Sequence, residues 1–390
     1  MTNELRNVPD LRFPGFEGEW EESNIDNEFD FFNNKRKPIK ENLRNKGEYP
    51  YYGATGIIDY VDDFIFDGNF ILIGEDGANI VSRSAPLVYF ATGKFWVNNH
   101  AHILYPKFGD IYFNYLLLEN IDYEKYNTGT AQPKLNVQNL KKIKIKSPRD
   151  NSEQQKIGKF FSKLDRQIEL EEQKLEKLEE QKKGYMQKIF SQELRFKDDN
   201  GNDYPNWENE KLGDLINEVN ERTTSNNQYV LLSSTKNGLL SQEEYFKKQI
   251  GSKDSTGYKI LRLNQLVLSP QNLWLGNINF NQRFDIGIVS PSYRIYNLSH
   301  QFDINFAKDL LKSPQYIYEY AQASEQGASV VRRNLNLELF YSIKISLPSI
   351  EEQRKIGVFL NKLDKLIRKQ YNKIVVLKQR KNGLLQKMFV

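Results

Sequence analysis

No cysteine occurs anywhere in the 390 residues. Disulfides, thiolate nucleophiles and cysteine-ligated zinc are thereby excluded, and the absence suits a reducing compartment. Histidine is almost as scarce: His100, His102 and His300 are the whole supply, too few for most metal constellations. Nucleotide-cradling Gly-x-x-x-x-Gly-Lys-Ser/Thr loops, Gly-x-Gly-x-x-Gly turns and His-Glu-x-x-His motifs are all missing. Nothing approaches the ~18 uninterrupted apolar residues of a membrane span. The opening MTNELRNVPDLRFPGFEGEW carries acidic residues and lacks the apolar centre of a secretion signal. These absences together lead us to expect a cytoplasmic, non-catalytic protein with no membrane segment.

What is present is enough for folded domains. Hydrophobic residues make up 39% and aromatic residues 13% of the chain, so each half can bury a core, and the length suits two or three domains. The formal net charge is +4, but it is unevenly placed. Glu153–Phe190 carries nine Lys/Arg against eight Asp/Glu, Glu352–Phe389 carries eleven against two, and the remainder is net −6. Binding to phosphate is therefore a matter of local patches rather than of overall charge.

The two segments with those charges are copies of one another. EQQKIGKFFSKLD at Glu153 and EQRKIGVFLNKLD at Glu352 open a match of 17 identities in 38 positions, without a gap, at an offset of 199. The likeness extends outward to Ile143 and Ile343, Pro148 and Pro348, and an LRF at Leu11 and again at Leu194, each ahead of a tryptophan, Trp20 and Trp207. The unit is a variable domain followed by a shared helix, repeated once. Leu360, Leu363, Ile367, Ile374, Leu377, Leu384 and Met388 recur at heptad spacing, interrupted by Gln370 and Lys381; Phe161, Leu164, Ile168, Leu175, Leu178, Tyr185 and Ile189 do the same, interrupted by Glu171 and Lys182. Such stripes need a partner. Glu169, Glu171, Glu172, Glu176, Glu179 and Glu180 on one complement Arg368, Lys369, Lys373, Lys378 and Arg380 on the other, which makes each helix the other's expected partner. The pseudo-twofold symmetry of the two halves predicts that they pair as an intramolecular antiparallel coiled coil. Leu164, Ile168, Leu175, Leu178, Leu363, Ile367, Ile374 and Leu377 are its expected pairing residues.

The predicted domains are 1–150, a first shared helix over 151–190, a second domain over 191–350 and a second shared helix over 351–390. Both variable regions read as mixed α/β. FILIGED, PLVYF, FWVNNHAHIL, QLVLSP, IGIVSPSYRIY and YSIKISL are strand-like, and INFAKDLLKSPQYIYEYAQAS alternates like a helix ending near Gly327. His100 and His102 would share one face of a strand, and Glu75 and Asp76 in GEDGAN read as a solvated turn. Polar and aromatic residues suited to DNA are more plentiful than catalytic ones. Lys35, Arg36 and Lys37 suit phosphates; Tyr51, Tyr52 and Thr55 lie beside glycine; Asn98 and Asn99 suit base edges. Lys236, Asn272 and Arg283 are the corresponding candidates in the second domain, although SPQN at Ser269 reads as a turn that ends a strand. Ahead of each shared segment lies a glycine-containing polar loop, NTGTAQPKLN with Gly129, Lys134 and Asn136, and SEQGASVVRRNLN with Gly327, Arg332, Arg333 and Asn336. Each loop is either a helix cap and turn or a cluster of amides and cations that clamps phosphate.

Over its whole length the chain resembles the specificity subunits of type I restriction-modification systems. The resemblance rests on LRFPGFEGEW, TGTAQPKLN, and an IxxPxxxEQxxI pattern at Ile145, Pro148, Glu153, Gln154 and Ile157, repeated at Ile345, Pro348, Glu352, Gln353 and Ile356 with one residue fewer between Pro and Glu. It implies a non-catalytic subunit of two target-recognition domains held apart by two antiparallel helices. Each domain would read one half of a split, asymmetric site in double-stranded DNA. Two methyltransferase subunits, and ATP-dependent restriction subunits, would be the partners. S-adenosylmethionine, ATP and Mg²⁺ would then belong to those partners and not to this chain. A helix of ~35 residues spans ~50 Å, an upper scale of ~15 base pairs for the footprint. The other readings are a single-chain methyltransferase or nuclease, and a coiled-coil scaffold that binds proteins.

Overall fold

The computed structural model describes residues 7–129, 132–236, 238–246, 254–326 and 333–390. The chain divides into two compact units, one of Met1–Gln173 with Tyr371–Val390 and the other of Lys174–Gln370. Both divisions fall within long helices, Asn151–Phe190 and Ile350–Met388, so each helix contributes a segment to either unit. The fold is mixed α/β with two domains and two long helices.

In the first unit a four-stranded antiparallel sheet runs Phe29–Phe31, Ala101–Pro106, Phe70–Gly74, Val88–Ala91. The strand Phe70–Gly74 explains why FILIG is an unbroken apolar run. Successive side chains point to opposite faces, and both faces are covered: Ile71 and Ile73 join Trp20, Phe113 and Phe161, whereas Leu72 joins Ala101, Ile103 and Phe95. A second sheet, in the order Gly56–Val61, Lys46–Gly53, Lys94–Val97, Phe66–Asp67, contains a parallel pairing that sets Tyr51 opposite Trp96.

The second unit repeats this plan. Its four-stranded sheet runs Ile216–Val219, Arg294–Leu298, Leu266–Leu268, Ile278–Phe280. Leu266 and Leu268 face the core with Tyr296, Phe306 and Phe340, while Val267 faces the other way with Leu232 and Ile295. A hairpin of Leu232–Thr235 and Gly238–Ser241 and a pair Lys259–Arg262 with Ile286–Val289 stand where the first unit has its second sheet.

Three expected elements differ, and one of them is IGIVSPSYRIY, which is two strands, Ile286–Val289 and Arg294–Leu298. FWVNNHAHIL is two strands, Lys94–Val97 and Ala101–Pro106, separated by a turn in which the Asn98 side chain accepts from the His100 N–H at 2.8 Å. The expected helix over 304–324 is two helices, Ile304–Leu310 and Pro314–Gln322, because Pro314 has no N–H to donate and starts a new helix. The predicted end near Gly327 lies outside the described residues.

The repeated letters form the junction between domain and helix. Glu153 is fully buried near the start of the first long helix, and Arg12 of the first LRF donates Nε and Nη2 to its two oxygens, both at 2.7 Å. Glu352 is equally buried and takes the same two bonds from Arg195 of the second LRF at 2.8 Å, with the Trp207 indole at 3.3 Å. The neighbouring glutamines are also matched. Gln154 donates to the Pro148 carbonyl at 2.8 Å and accepts from the Asp110 N–H at 3.2 Å. Gln353 donates to Pro348 at 2.9 Å and accepts from the Asp303 N–H at 2.9 Å. Asp110 and Asp303 cap the helices Ile111–Glu119 and Ile304–Leu310. Those capped ends crowd the long helices so closely that only glycine fits: a Cβ on Gly158 would lie 2.1 Å from an Asp110 carboxylate oxygen, and one on Gly357 would lie 2.8 Å from Asn305 Cβ.

Within each unit the helix segments pair antiparallel. In the first unit Lys381 meets Asp165 at 2.6 Å, Lys378 meets Glu172 at 2.6 Å and Lys373 meets Glu171, so one number rises as the other falls. Ile168 and Ile374 are buried, Leu164 and Leu377 half-buried. In the second unit Lys182 meets Asp364 at 2.6 Å and Asp309 at 2.8 Å, and Tyr185 packs edge-on to Phe359. Here Leu363 is buried and Leu175, Leu178 and Ile367 are half-buried. Lys182 and Lys381, which interrupt the apolar stripes, are thus equivalent residues whose partners Asp364 and Asp165 are also equivalent. Glu169 pairs instead with Arg166 on its own helix.

Arg12→Ala and Arg195→Ala each strand a buried carboxylate, and each is expected to cost about 3–5 kcal/mol, read as a lowered denaturation midpoint of the unit concerned. Exchanging Lys381 and Asp165 (Lys381→Asp with Asp165→Lys) is expected to recover about 1 kcal/mol over the sum of the single changes; an additive double-mutant cycle would contradict the pairing.

Candidate nucleic-acid interface

In the first unit four loops meet at one end of the two sheets. The hairpin tip Gly53–Gly56 lies against Gly74, where a Cβ would stand 2.5 Å from the Ala54 carbonyl, and against the Asn98 amide. The turn 98–100 is tied to the loop after Phe70–Gly74 by the Glu75 N–H donating to the His100 carbonyl at 2.8 Å. That loop in turn receives residues 133–135: Gly77 N–H donates to the Pro133 carbonyl, Leu135 N–H to the Glu75 carbonyl, and Asp76 bridges Lys134. Close backbone contact explains Gly129 too, because a Cβ there would collide with the Gln132 carbonyl at 1.7 Å.

Glu75 organises this cluster and is not the solvated turn residue that its flanking glycines suggest. Its side chain is 14% exposed, with Arg36 Nη1 at 2.6 Å and Lys134 Nζ at 3.5 Å. Burial pushes its carboxyl up, but the Arg36 bond and the charges of Arg36 and Lys134 outweigh this and hold it below the ordinary range. His102 is buried and its affinity for a proton is lowered by that burial. Its Nε2–H donates to the Leu135 carbonyl at 2.8 Å, leaving Nδ1 to accept from Asn33 at 3.0 Å. Both ring nitrogens are therefore taken. His100 lies in the turn, with Nδ1 at 2.7 Å from Asp76, and does not share a strand face with His102. Among the described residues no group of three or more His, Asp or Glu converges as for a metal ion.

The sequence candidates separate into scaffold and surface. Arg36 donates to Glu75 and to the Asn33, Asn99 and Ala101 carbonyls, so it locks loops together and is not a free phosphate cation. Tyr51 is buried, its hydroxyl accepting from the Ile39 N–H at 2.9 Å; Tyr52 is buried against Phe95; and Asn98 is a turn cap. Lys35, Lys37, Thr55, Asn99 and Lys134 are exposed around the same end of the domain. Periodicity alone could not separate the two groups, because burial of a tyrosine or arginine depends on partners distant in sequence.

The second unit gathers equivalent loops. Lys236 is exposed at the turn of the hairpin Leu232–Thr235 and Gly238–Ser241. A buried network of Asn277, Asn279 and Ser234 ties that hairpin to the strand Ile278–Phe280. Asn272 precedes the short 3₁₀ turn Leu273–Leu275, whose Gly276 adopts φ +83°. Arg283 is neutralised by Glu244, with Nη1 at 3.0 Å and Nη2 at 2.5 Å from the carboxylate, and so is a scaffold residue. Arg333 lies over the Trp274 ring at 4.4 Å. Trp274 is the neighbour that sequence reasoning missed. Gly327 and Arg332 lie outside the described residues. The asparagines that end the two polar loops, Asn136 and Asn336, are helix N-caps, accepting from the Asn139 and Leu339 N–H at 2.8 and 3.1 Å.

The family of the type I restriction modification DNA specificity domain matches this chain twice, over residues 17–180 and 204–378. The chain belongs to that family. A Haemophilus influenzae protein named as a type I restriction enzyme specificity subunit is 38% identical over 135 residues, about a third (34%) of each chain. A crystal structure of the specificity subunit of a type I restriction-modification system from M. genitalium superposes with a TM-score of 0.65 at 18% identity, covering 98% of this chain and 99% of that one. A chain from a study of complex assembly and conformational transition in the type I system gives 0.51 at 12% identity, covering 97% and 98%. At such identities the superpositions show a shared fold. Each family match contains most of one long helix and one loop cluster of the kind just described. No helix among the described residues is long and apolar enough to cross a membrane.

Lys134→Ala is expected to weaken DNA retention by the assembled specificity complex for all sequences alike and to lower the salt slope by about one, leaving the denaturation midpoint unchanged. Arg36→Ala is expected to lower the midpoint instead. Titrations across a salt series, alongside thermal denaturation, separate the two.

Proposed function

We propose that this chain is the DNA-reading, non-catalytic subunit of a type I restriction-modification assembly in the cytoplasm. Each unit reads one half of a bipartite, asymmetric site in double-stranded DNA through the loop cluster at the end of its sheets. The observation that carries this reading is that the two clusters occupy matched places in the repeated fold yet present different side chains, Lys134 over Glu75 in one and Arg333 over Trp274 in the other. Matched frames with unlike chemistry suit unlike half-sites.

Two methyltransferase subunits are the proposed modification partners, and ATP-dependent restriction subunits the proposed endonuclease partners. In that arrangement S-adenosylmethionine, ATP and Mg²⁺ act on those subunits, and this chain supplies position and sequence choice. The length of the long helices then sets the separation of the half-sites.

The test is to map methylated motifs in cells carrying this chain and its methyltransferase. Two unlike half-sites with an unread middle are expected. Removing four residues from the first long helix, about one turn, should change the spacing while both half-sites persist. Methyl transfer by the purified chain alone would favour a self-sufficient enzyme, and the absence of any sequence preference in the assembled complex would favour a protein scaffold.

A further inference from the structure

Most arginines in the described part of the second domain are neutralised. Arg262 is paired with Glu221 at 2.7 Å, Arg283 with Glu244 at 2.5 Å and Arg294 with Glu218 at 2.5 Å. Arg222 has its guanidinium on the Gly257 carbonyl at 2.9 Å. Arg333, like Arg222, has no acidic partner among the described residues, but of the two it is Arg333 that lies on an aromatic ring, its guanidinium carbon 4.4 Å from the centre of Trp274. Among the described residues its other side-chain bond is a long one, 3.4 Å, to the Ala321 carbonyl.

The platform is built. Trp274 sits in the turn Leu273–Leu275, closed by Gly276, and Leu273 is fully buried beneath it. The Arg333 backbone is fixed to that same loop by its N–H donating to the Gln271 carbonyl at 3.2 Å. The indole N–H is buried and has no partner among the described residues, so the tryptophan contributes its face and not its polar edge. In the first unit the loop after the equivalent strand Phe70–Gly74 carries Glu75, which meets Lys134 and cancels part of its charge. An aromatic face in that place holds a cation without cancelling it.

We infer that Arg333, laid on Trp274, reads a guanine in the half-site of the second domain, an inference that rests on the function proposed above. A phosphate needs only a nearby positive charge, which an exposed lysine supplies. A guanine edge presents two acceptors, O6 and N7, in a fixed plane, and the guanidinium fork matches them when its own plane is held. Stacking on an indole holds that plane before the DNA arrives and lowers the entropy lost on contact.

The experiment is methylated-motif sequencing in cells that contain the full chain with its methyltransferase, comparing wild type with Arg333→Ala, Arg333→Lys and Trp274→Ala. Arg333→Ala is expected to make one guanine position in one half-site degenerate, with discrimination falling roughly 10- to 100-fold. The other half-site and the spacing should be unchanged, which also reports that the complex still assembles. Arg333→Lys keeps the charge and should not restore the guanine; Trp274→Ala should weaken the same position. The inference is overturned if neither half-site of the wild type contains guanine. It is overturned too if the motif stays intact in Arg333→Ala, with methylation either unchanged or reduced evenly at every site. A wild type that methylates no defined motif would instead count against the proposed function.

Discussion

A buried carboxylate held by one arginine is the constraint on which each half of this protein depends. Glu153 and Glu352 are fully buried within the first turns of the long helices, and an ionised group in such a place is tolerable only when it is paired and hydrogen-bonded. Arg12 and Arg195 supply that pairing from segments far away in sequence. Once the carboxylate is bound, the adjacent glutamine reaches the proline carbonyl and the capped end of a domain helix, and the glycine that follows lets that end approach. A domain is thereby fixed to its helix by a small polar lock with apolar walls. The near-identical letters of the two copies describe this lock.

Beyond the lock, the repeat conserves backbone and releases side chains. Both four-stranded sheets have the same order, and both send alternate residues of the central strand into two different cores. Both polar loops end in an asparagine that caps a short helix. Upon that constant frame the first unit sets a half-buried acid between two cations, Arg36 and Lys134, and the second sets an aromatic ring under an arginine. A rigid frame carrying exchangeable surface chemistry suits a protein that must change what it recognises without changing how it folds.

Polar interruptions in the apolar helix stripes play a comparable part. Lys182 and Lys381 stand where a coiled coil would ordinarily take a leucine, and each meets an aspartate at the same place in the other copy. Burial pushes the Asp364 carboxyl up, but bonds from Lys182 and Lys308 hold it below its ordinary range. Such pairs sacrifice some apolar burial and fix register, because a slip of one turn would face lysine with an apolar residue.

The sequence by itself determined the repeat, the two long helices, the strands and the charge complement between Glu171, Glu172 and Lys373, Lys378. These follow from local periodicity and from identity between copies, which need no knowledge of distant contacts. The apolar rhythm on either side of Pro314 masked the division into two helices. Only the tertiary structure decided which polar residues face solvent. Arg36, Tyr51 and Asn98 look like DNA-reading residues in sequence and are scaffold in space, because Glu75, Ile39 and His100 claim their polar atoms. Trp274 carries no signal of its own in the sequence and becomes a platform, because Arg333, 59 positions away, returns to lie on it. A hydrogen-bonding side chain is committed by whichever partner folding brings within about 3 Å, and that partner is set by topology.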